Sequence, residues 1–143
     1  DMGDVRFDRV AAWPGNTLGI GTVGADQDRP TPVFCLPGDP VSAQVCFEVY
    51  VRPALRKMQG WSKVNRSAVK ASVNRGWHSP EGRREFVRVR LTGSPQGGYE
   101  ATVMGQPEAL WLSALADSNA LAIVPESTTT VQAGDQLACM LLE

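Results

Sequence analysis

The rhythm of hydrophobic and polar positions changes near residue 62 of this 143-residue chain. Val5 to Ala12 alternates at Val5, Phe7 and Arg9 and then turns apolar, which predicts a strand entering a core. Trp13-Pro14-Gly15-Asn16 reads as a turn, Thr17 to Val23 as a short strand, and Gly24 to Pro32 as a polar loop. Pro32 to Leu36 is a continuous apolar run, the pattern of a strand buried on both faces. Pro37-Gly38-Asp39-Pro40 breaks it. Val41, Val45, Cys46, Val49, Ala54 and Leu55 then recur at near-helical spacing, predicting a helix from Val41 to Met58. Asp39 suits its N-cap and Pro40 its first position. Pro53 predicts a kink or break near Arg52, and Gly60 closes the helix.

From about Lys63 the period is that of strands. Ala68 to Val73, Glu85 to Leu91 and Tyr99 to Met104 alternate, and Ala120 to Pro125, Thr129 to Gln132 and Gln136 to Leu142 are short strand signals. In Glu85 to Leu91, Arg88 and Arg90 share one face and Val87, Val89 and Leu91 the other. Leu110 to Ser118 predicts the one short helix of this half. Two modules follow: residues 1–62 are α/β, and residues 63–143 are mostly β.

Composition sets the class without touching the activity. Hydrophobic residues make up 43% and charged residues 20%, a globular balance, and no apolar stretch approaches the ~18 residues of a membrane span. The chain opens on Asp1 without Met, which suggests a processed or excised piece. Cys35, Cys46 and Cys139 are widely spaced and odd in number, so they read as reduced thiols of a cytosolic protein; no metal set is proposed from them.

Charge is balanced overall at −1 but poorly mixed: residues 1–51 carry −4, residues 52–90 carry +9 and residues 91–143 carry −6. The basic block suits an anionic partner, or it is a solvated face neutralised by the acidic tail, and the second is the stronger expectation. Its aromatics, Trp61, Trp77 and Phe86, do not interleave with the basic residues as a base-stacking surface would, so a nucleic-acid partner is not expected.

Leu36-Pro37-Gly38-Asp39-Pro40-Val41-Ser42 is the strongest local signal, a glycine turn between a strand and a helix N-terminus. Free N–H groups, the helix dipole and the Ser42 hydroxyl favour an anion there. Asp39 opposes it, and spacing alone favours an ordinary capped turn. Gly19-x-Gly21-x-x-Gly24 has the letters of a dinucleotide loop but lacks the helix after it. Gly76 to Pro80 reads as a loop carrying His78 on the surface, and Glu81 with Glu85 forms no carboxylate pair.

Several motifs in order resemble the C-terminal part of molybdopterin molybdenumtransferase, the module also present as the E domain of gephyrin-type proteins. The family's Lys-Pro-Gly-Lys-Pro turn corresponds to Trp13-Pro14-Gly15-Asn16-Thr17. Its Leu-Pro-Gly-Asn-Pro-Val-Ser-Ala corresponds to Leu36 through Ala43, with Asp39 for Asn, and its Arg-Pro-Ala-Leu-Arg-Lys stands unchanged at Arg52 to Lys57. Gly-Arg-x-x-Phe-x-Arg is matched by Gly82 to Arg88, and the closing motifs by Ser118 to Pro125 and Ala133-Gly134-Asp135.

The resemblance implies a fold: an α/β remnant of a molybdopterin-binding domain at 1–62, then a small all-β, barrel-like domain at 63–143. It implies a full-length cytoplasmic homodimer that inserts molybdenum from molybdate into adenylated molybdopterin with Mg²⁺. The metal ligands would lie mostly outside this chain, and the isolated chain would be inactive. Pro14, Gly15, Pro37, Gly38, Asp39, Pro40 and Ser42 would face the cofactor, with Arg9 supplying a positive charge; no catalytic residue is assigned. Trp13 and Asn16 depart from two family lysines. The alternative is a non-catalytic partner-binding or scaffold module of the same family.

Overall fold

The computed structural model describes residues 3–24, 28–105 and 112–142. The first strand signal divides in two. β1 (Gly3–Arg9) pairs antiparallel with β3 (Thr17–Val23), and β3 with β4 (Thr31–Cys35). At Val10 the chain leaves that sheet: Val10 N–H donates to Asn16 O and Ala12 N–H to Val10 O. β2 (Ala12–Trp13) then lies parallel to residues Arg84 and Glu85 of the second half. Val5 to Ala12 is therefore not one strand, because its apolar end is claimed by a different sheet.

β4 also departs from expectation. Val33, Phe34 and Cys35 are half-buried, not buried on both faces. Among the described residues β4 is the edge of a three-stranded sheet, so one side of it has no neighbouring strand. Phe7, Ile20, Val23 and Leu36 of the same region are exposed. The expected polar loop at Gly24 to Pro32 lies partly outside the described residues, at Ala25, Asp26 and Gln27.

The helix begins where the local chemistry places it. α1 (Pro40–Cys46) has Asp39 as N-cap, whose carboxylate accepts from the Ser42 N–H. Pro53 does not break the helix. A π-helical turn at Phe47–Val51 precedes α2 (Arg52–Met58), and the Arg52 N–H reaches back to Phe47 O. Widening by one residue accommodates a proline that cannot donate to the preceding turn, so helical residues continue through Arg52 and Pro53. At the far end Gly60 takes φ +83, its N–H donates to Lys57 O and the Trp61 N–H to Arg56 O. Only glycine adopts that conformation cheaply, which is why the helix stops there.

Five strands close the second half into a barrel. β7 (Arg84–Gly93) pairs with β8 (Tyr99–Val103), β8 with β5 (Ala68–Val73), β5 with β11 (Gln136–Leu141), β11 with β9 (Ala120–Val124), and β9 returns to β7. The β5–β8 pair is parallel and the rest are antiparallel. Small residues line the interior: Ala71, Ala101, Ala120 and Ala122 among Val73, Val87, Val89 and Val124. A closed sheet of so few strands has room for little more. A separate two-residue ladder joins β6 (Trp77–His78) to β10 (Thr130–Val131), so part of the Gly76–Pro80 segment is strand and not loop. The short helix α3 is Leu112–Asp117; the expected start at Leu110 and Trp111 lies outside the described residues.

Alternation along β7 holds for Val87, Val89 and Leu91, which enter the barrel core. It fails for Arg88, which is 3% exposed while Arg90 stays exposed. The outer face of the barrel is covered there: Phe86, Leu121 and Met140 pack with Ala12 of β2 and Val45 of α1 in a second core. Glu48 adds a polar tie, taking Arg66 with two contacts at 2.5 and 3.0 Å. Helix and barrel therefore share one seam.

Candidate functional site

The turn at Gly15 meets the helix that follows the Leu36–Asp39 turn, through Gly15 and Cys46, 31 residues apart in sequence. On one side, Leu36 to Asp39 leads from β4 into α1. The Asp39 carboxylate accepts from the Ser42 N–H at 2.8 Å and its carbonyl from the Ala43 N–H at 3.0 Å. The cap thus uses one of the amides that an incoming anion would otherwise meet. Gly38 is exposed, and a Cβ there would find no atom within 4 Å, so backbone is open to a ligand. On the other side, Pro14 follows a cis Trp13–Pro14 bond and Gly15 has φ +91. A Cβ on Gly15 would stand 2.6 Å from Cys46 Sγ and 3.3 Å from Ser42 O. The Cys46 thiol donates to Gly15 O at 3.5 Å.

Pro14, Gly15 and Ser42 are thus in one place, and Pro37, Gly38, Asp39 and Pro40 form the turn leading to them. Ser42 is only 5% exposed. Arg9 is set at the end of β1, exposed and opposite Thr17. Trp13 and Glu85, neighbours across the β2–β7 pair, line a cavity of about 390 Å³ with His78, Ser79, Pro80 and Arg83.

Arg88 is the residue that pattern reasoning misses. Burial lowers its pKa, and the Asp39 carboxylate acts in the opposite direction, so a buried cation lies within electrostatic reach of the helix cap. Its alternation with Arg90 gives no hint of this; only its place at the end of the Gly82–Arg88 motif singles it out. The other sequence candidates are structural. His78 is exposed, with Nδ1 3.4 Å from Thr130 Oγ1. Glu85 accepts from Trp77 Nε1 at 2.8 Å inside the fold, far in character from the exposed Glu81. Gly21 sits in β3 where a Cβ would strike Asp4 O at 1.9 Å, so the glycine spacing serves strand packing. Among the described residues, no group of three or more His, Cys, Asp or Glu could hold a metal ion.

The thiols differ in environment, which fixes an order of reaction. Burial pushes Cys139 up to about 11, and burial together with Asp39 raises Cys46. A raised thiol pKa keeps the unreactive neutral form at pH 8, while half-buried Cys35 is open to reagent. Alkylation of the native chain at pH 8, followed by mass spectrometry, is expected to label Cys35 first. Cys46 and Cys139 should react only after unfolding; early labelling of Cys139 would contradict the closed barrel.

Residues 70–142 match the family model described as MoeA C-terminal region (domain IV), and residues 1–57 match that of a probable molybdopterin binding domain. Molybdopterin molybdenumtransferase 2 of Mycobacterium tuberculosis is 39% identical over 133 residues, covering 93% of this chain and 31% of that protein. Molybdopterin molybdenumtransferase 1 of the same species is 34% identical, covering 94% and 32%. Gephyrin of Dictyostelium discoideum is 27% identical, covering 99% and 22%. The molybdopterin biosynthesis MoeA protein of Pyrococcus horikoshii OT3 superposes with a TM-score of 0.76 at 27% identity, covering 96% and 32%. The chain therefore spans about a third or less of the length of these relatives.

Proposed function

Because the chain belongs to the MoeA family of molybdenum cofactor biosynthesis, we propose that the full-length protein carrying it inserts molybdenum from molybdate into adenylated molybdopterin. Residues 1–62 close one side of the molybdopterin site, and residues 63–143 form the C-terminal domain. The observation that supports this most is the contact between the Gly15 turn and Ser42 at the helix start. Two backbone turns, one open at Gly38, converge on a helix N-terminus, the arrangement that receives an anion without side-chain charge.

The protein's contribution is positioning and electrostatics. Gly38 admits the ligand to the backbone, the helix dipole favours its negative charge, and Asp39 spends one amide while orienting the rest. Adenylated molybdopterin implies a phosphoanhydride and hence Mg²⁺, but the described residues offer no carboxylate cluster for it, so no step through Mg²⁺ is assigned to this chain. Half a site gives no turnover, so the 143-residue chain alone is inactive. A cytoplasmic homodimer is the working state of the whole protein.

A second reading, a non-catalytic partner-binding module, draws on Trp13 and Asn16 in place of the family lysines and on the gephyrin relative. One experiment separates the two. Each restored lysine adds a charge-assisted contact of about 1–3 kcal/mol. In the full-length protein, Trp13→Lys with Asn16→Lys is expected to tighten molybdopterin binding at least tenfold and to raise molybdate-dependent insertion. Unchanged affinity, with no insertion by either protein, would overturn the enzymatic reading in favour of the module.

A further inference from the structure

At the opposite end of the helix lies a hollow of about 270 Å³ that the reading above does not use. Arg52, Arg56, Lys63 and Arg66 line it, beside Trp61 and Ser67. Glu48 is the one carboxylate that meets any of these cations among the described residues; it is engaged by Arg66 at 2.5 Å and stands 3.9 Å from Arg52. Among the described residues, Arg56 and Lys63 meet none. Four cations against one carboxylate leave an excess of positive charge in a single concavity. Among the described residues, the acidic tail makes one ion pair with the basic block, Glu126 with Arg84, and none at this hollow.

The cations are also held in place. The Arg56 guanidinium lies 4.2 Å over the Trp61 ring, and Lys63 Nζ donates to Ser67 Oγ at 2.8 Å. Arg52 Nη1 donates to Val64 O at 3.2 Å. Each arrangement fixes a side chain and leaves further N–H donors for a ligand. Arg66 and Arg56 both depress the Arg52 pKa, beyond the effect of burial, so the cations repel one another. Like charges gathered this way cost stability unless an anion offsets them.

We propose that this hollow binds the phosphate monoester or diphosphate group of a small molecule, at a site separate from the Gly38 turn. A phosphate monoester carries about −1.5 to −2 at pH 7 in a compact tetrahedral group, which matches clustered, preorganised arginines. A carboxylate supplies one charge and leaves most of the excess. A nucleic acid needs cations spaced along a track, and these occupy one hollow.

Inorganic pyrophosphate titrated calorimetrically into the chain at 150 mM salt tests the site. Saturable binding is expected, weakened at least tenfold by Arg56→Ala with Lys63→Ala and retained by the charge-conserving Lys63→Arg. An unfolding midpoint unchanged in the alanine pair establishes that the fold is intact. The Gly38 turn is untouched in every variant, so its own anion binding cancels in the comparison. Equal affinity in the alanine pair, or no saturable binding, overturns the proposal. Tight binding of a single-stranded oligonucleotide with none of pyrophosphate overturns it in favour of a nucleic-acid surface.

Discussion

Replacing Leu121 by alanine is expected to cost about 3–5 kcal/mol of folding stability, the upper part of the range for a buried leucine. Leu121 is 0% exposed and is the largest of the fully buried side chains among the described residues. Its neighbours Ala120 and Ala122 point into the barrel, whereas Leu121 points outward into the second core with Ala12, Val45, Phe86 and Met140. The contacts come from four separate pieces of chain: β2, the helix, the barrel strand β7 and the closing strand β11. No one of them can move to fill the gap without leaving its own hydrogen-bonded partners, so the cavity persists and its full penalty is felt. Urea unfolding of the variant, compared with Val69→Ala on a half-buried position, measures the effect. A loss below about 1 kcal/mol would mean that helix and barrel are not packed on each other in solution.

How much of this was legible depends on the distance over which each signal acts. The helix start was readable because Asp39 and Pro40 act on amides within three residues of themselves. The helix end was readable for the same reason at Gly60. Pro53 marked where a kink or break was expected, near Arg52, but sequence names only the missing donor and not the π-helical turn that absorbs it. The alternation of β7 located two faces and found the barrel core at Val87, Val89 and Leu91. It could not tell that the other face would be covered, since the cover is supplied by residues near Ala12 and Val45, far away along the chain. The shared face of Arg88 and Arg90 therefore carried no sign that Arg88 is buried, and the strand expected over Val5 to Ala12 and the turn expected from Trp13 gave no sign that Ala12–Trp13 pairs with Arg84 and Glu85.

The candidate site divides along the same line. The Pro37 to Ser42 turn is local, and its letters suffice to propose an anion loop. What distinguishes such a loop from an ordinary capped turn is the second turn pressed against it, and that contact is non-local. The same holds for charge. The basic block is visible as a count, but a count cannot separate Arg84, paired with the tail residue Glu126, from Arg56 and Lys63, which gather in a hollow and meet no carboxylate among the described residues. Among the described residues, the acidic tail meets the basic block at Arg84 and makes no ion pair at that hollow.

Gly15→Ala is the second large expected effect, and it bears directly on the contact between the turns. Two costs add. At φ +91 an alanine is strained by about 1–2 kcal/mol, and its Cβ would stand 2.6 Å from Cys46 Sγ, closer than such atoms approach. Together they should destabilise the chain by about 2–4 kcal/mol, and they should push the turn away from Ser42. The two costs separate in a double-mutant cycle. Cys46→Ala removes the sulfur that clashes, so in that background Gly15→Ala should recover the steric part and keep the backbone part, a coupling of about 1–2 kcal/mol. Equilibrium unfolding of the four proteins reads the stability. In the full-length protein, molybdopterin affinity should fall with Gly15→Ala and return partly in the double variant. If Gly15→Ala were neutral, the turn would not be clamped on the helix. If it were destabilising with no coupling to Cys46, the strain would lie in the backbone alone, and the sulfur contact would play no part in holding the two turns together.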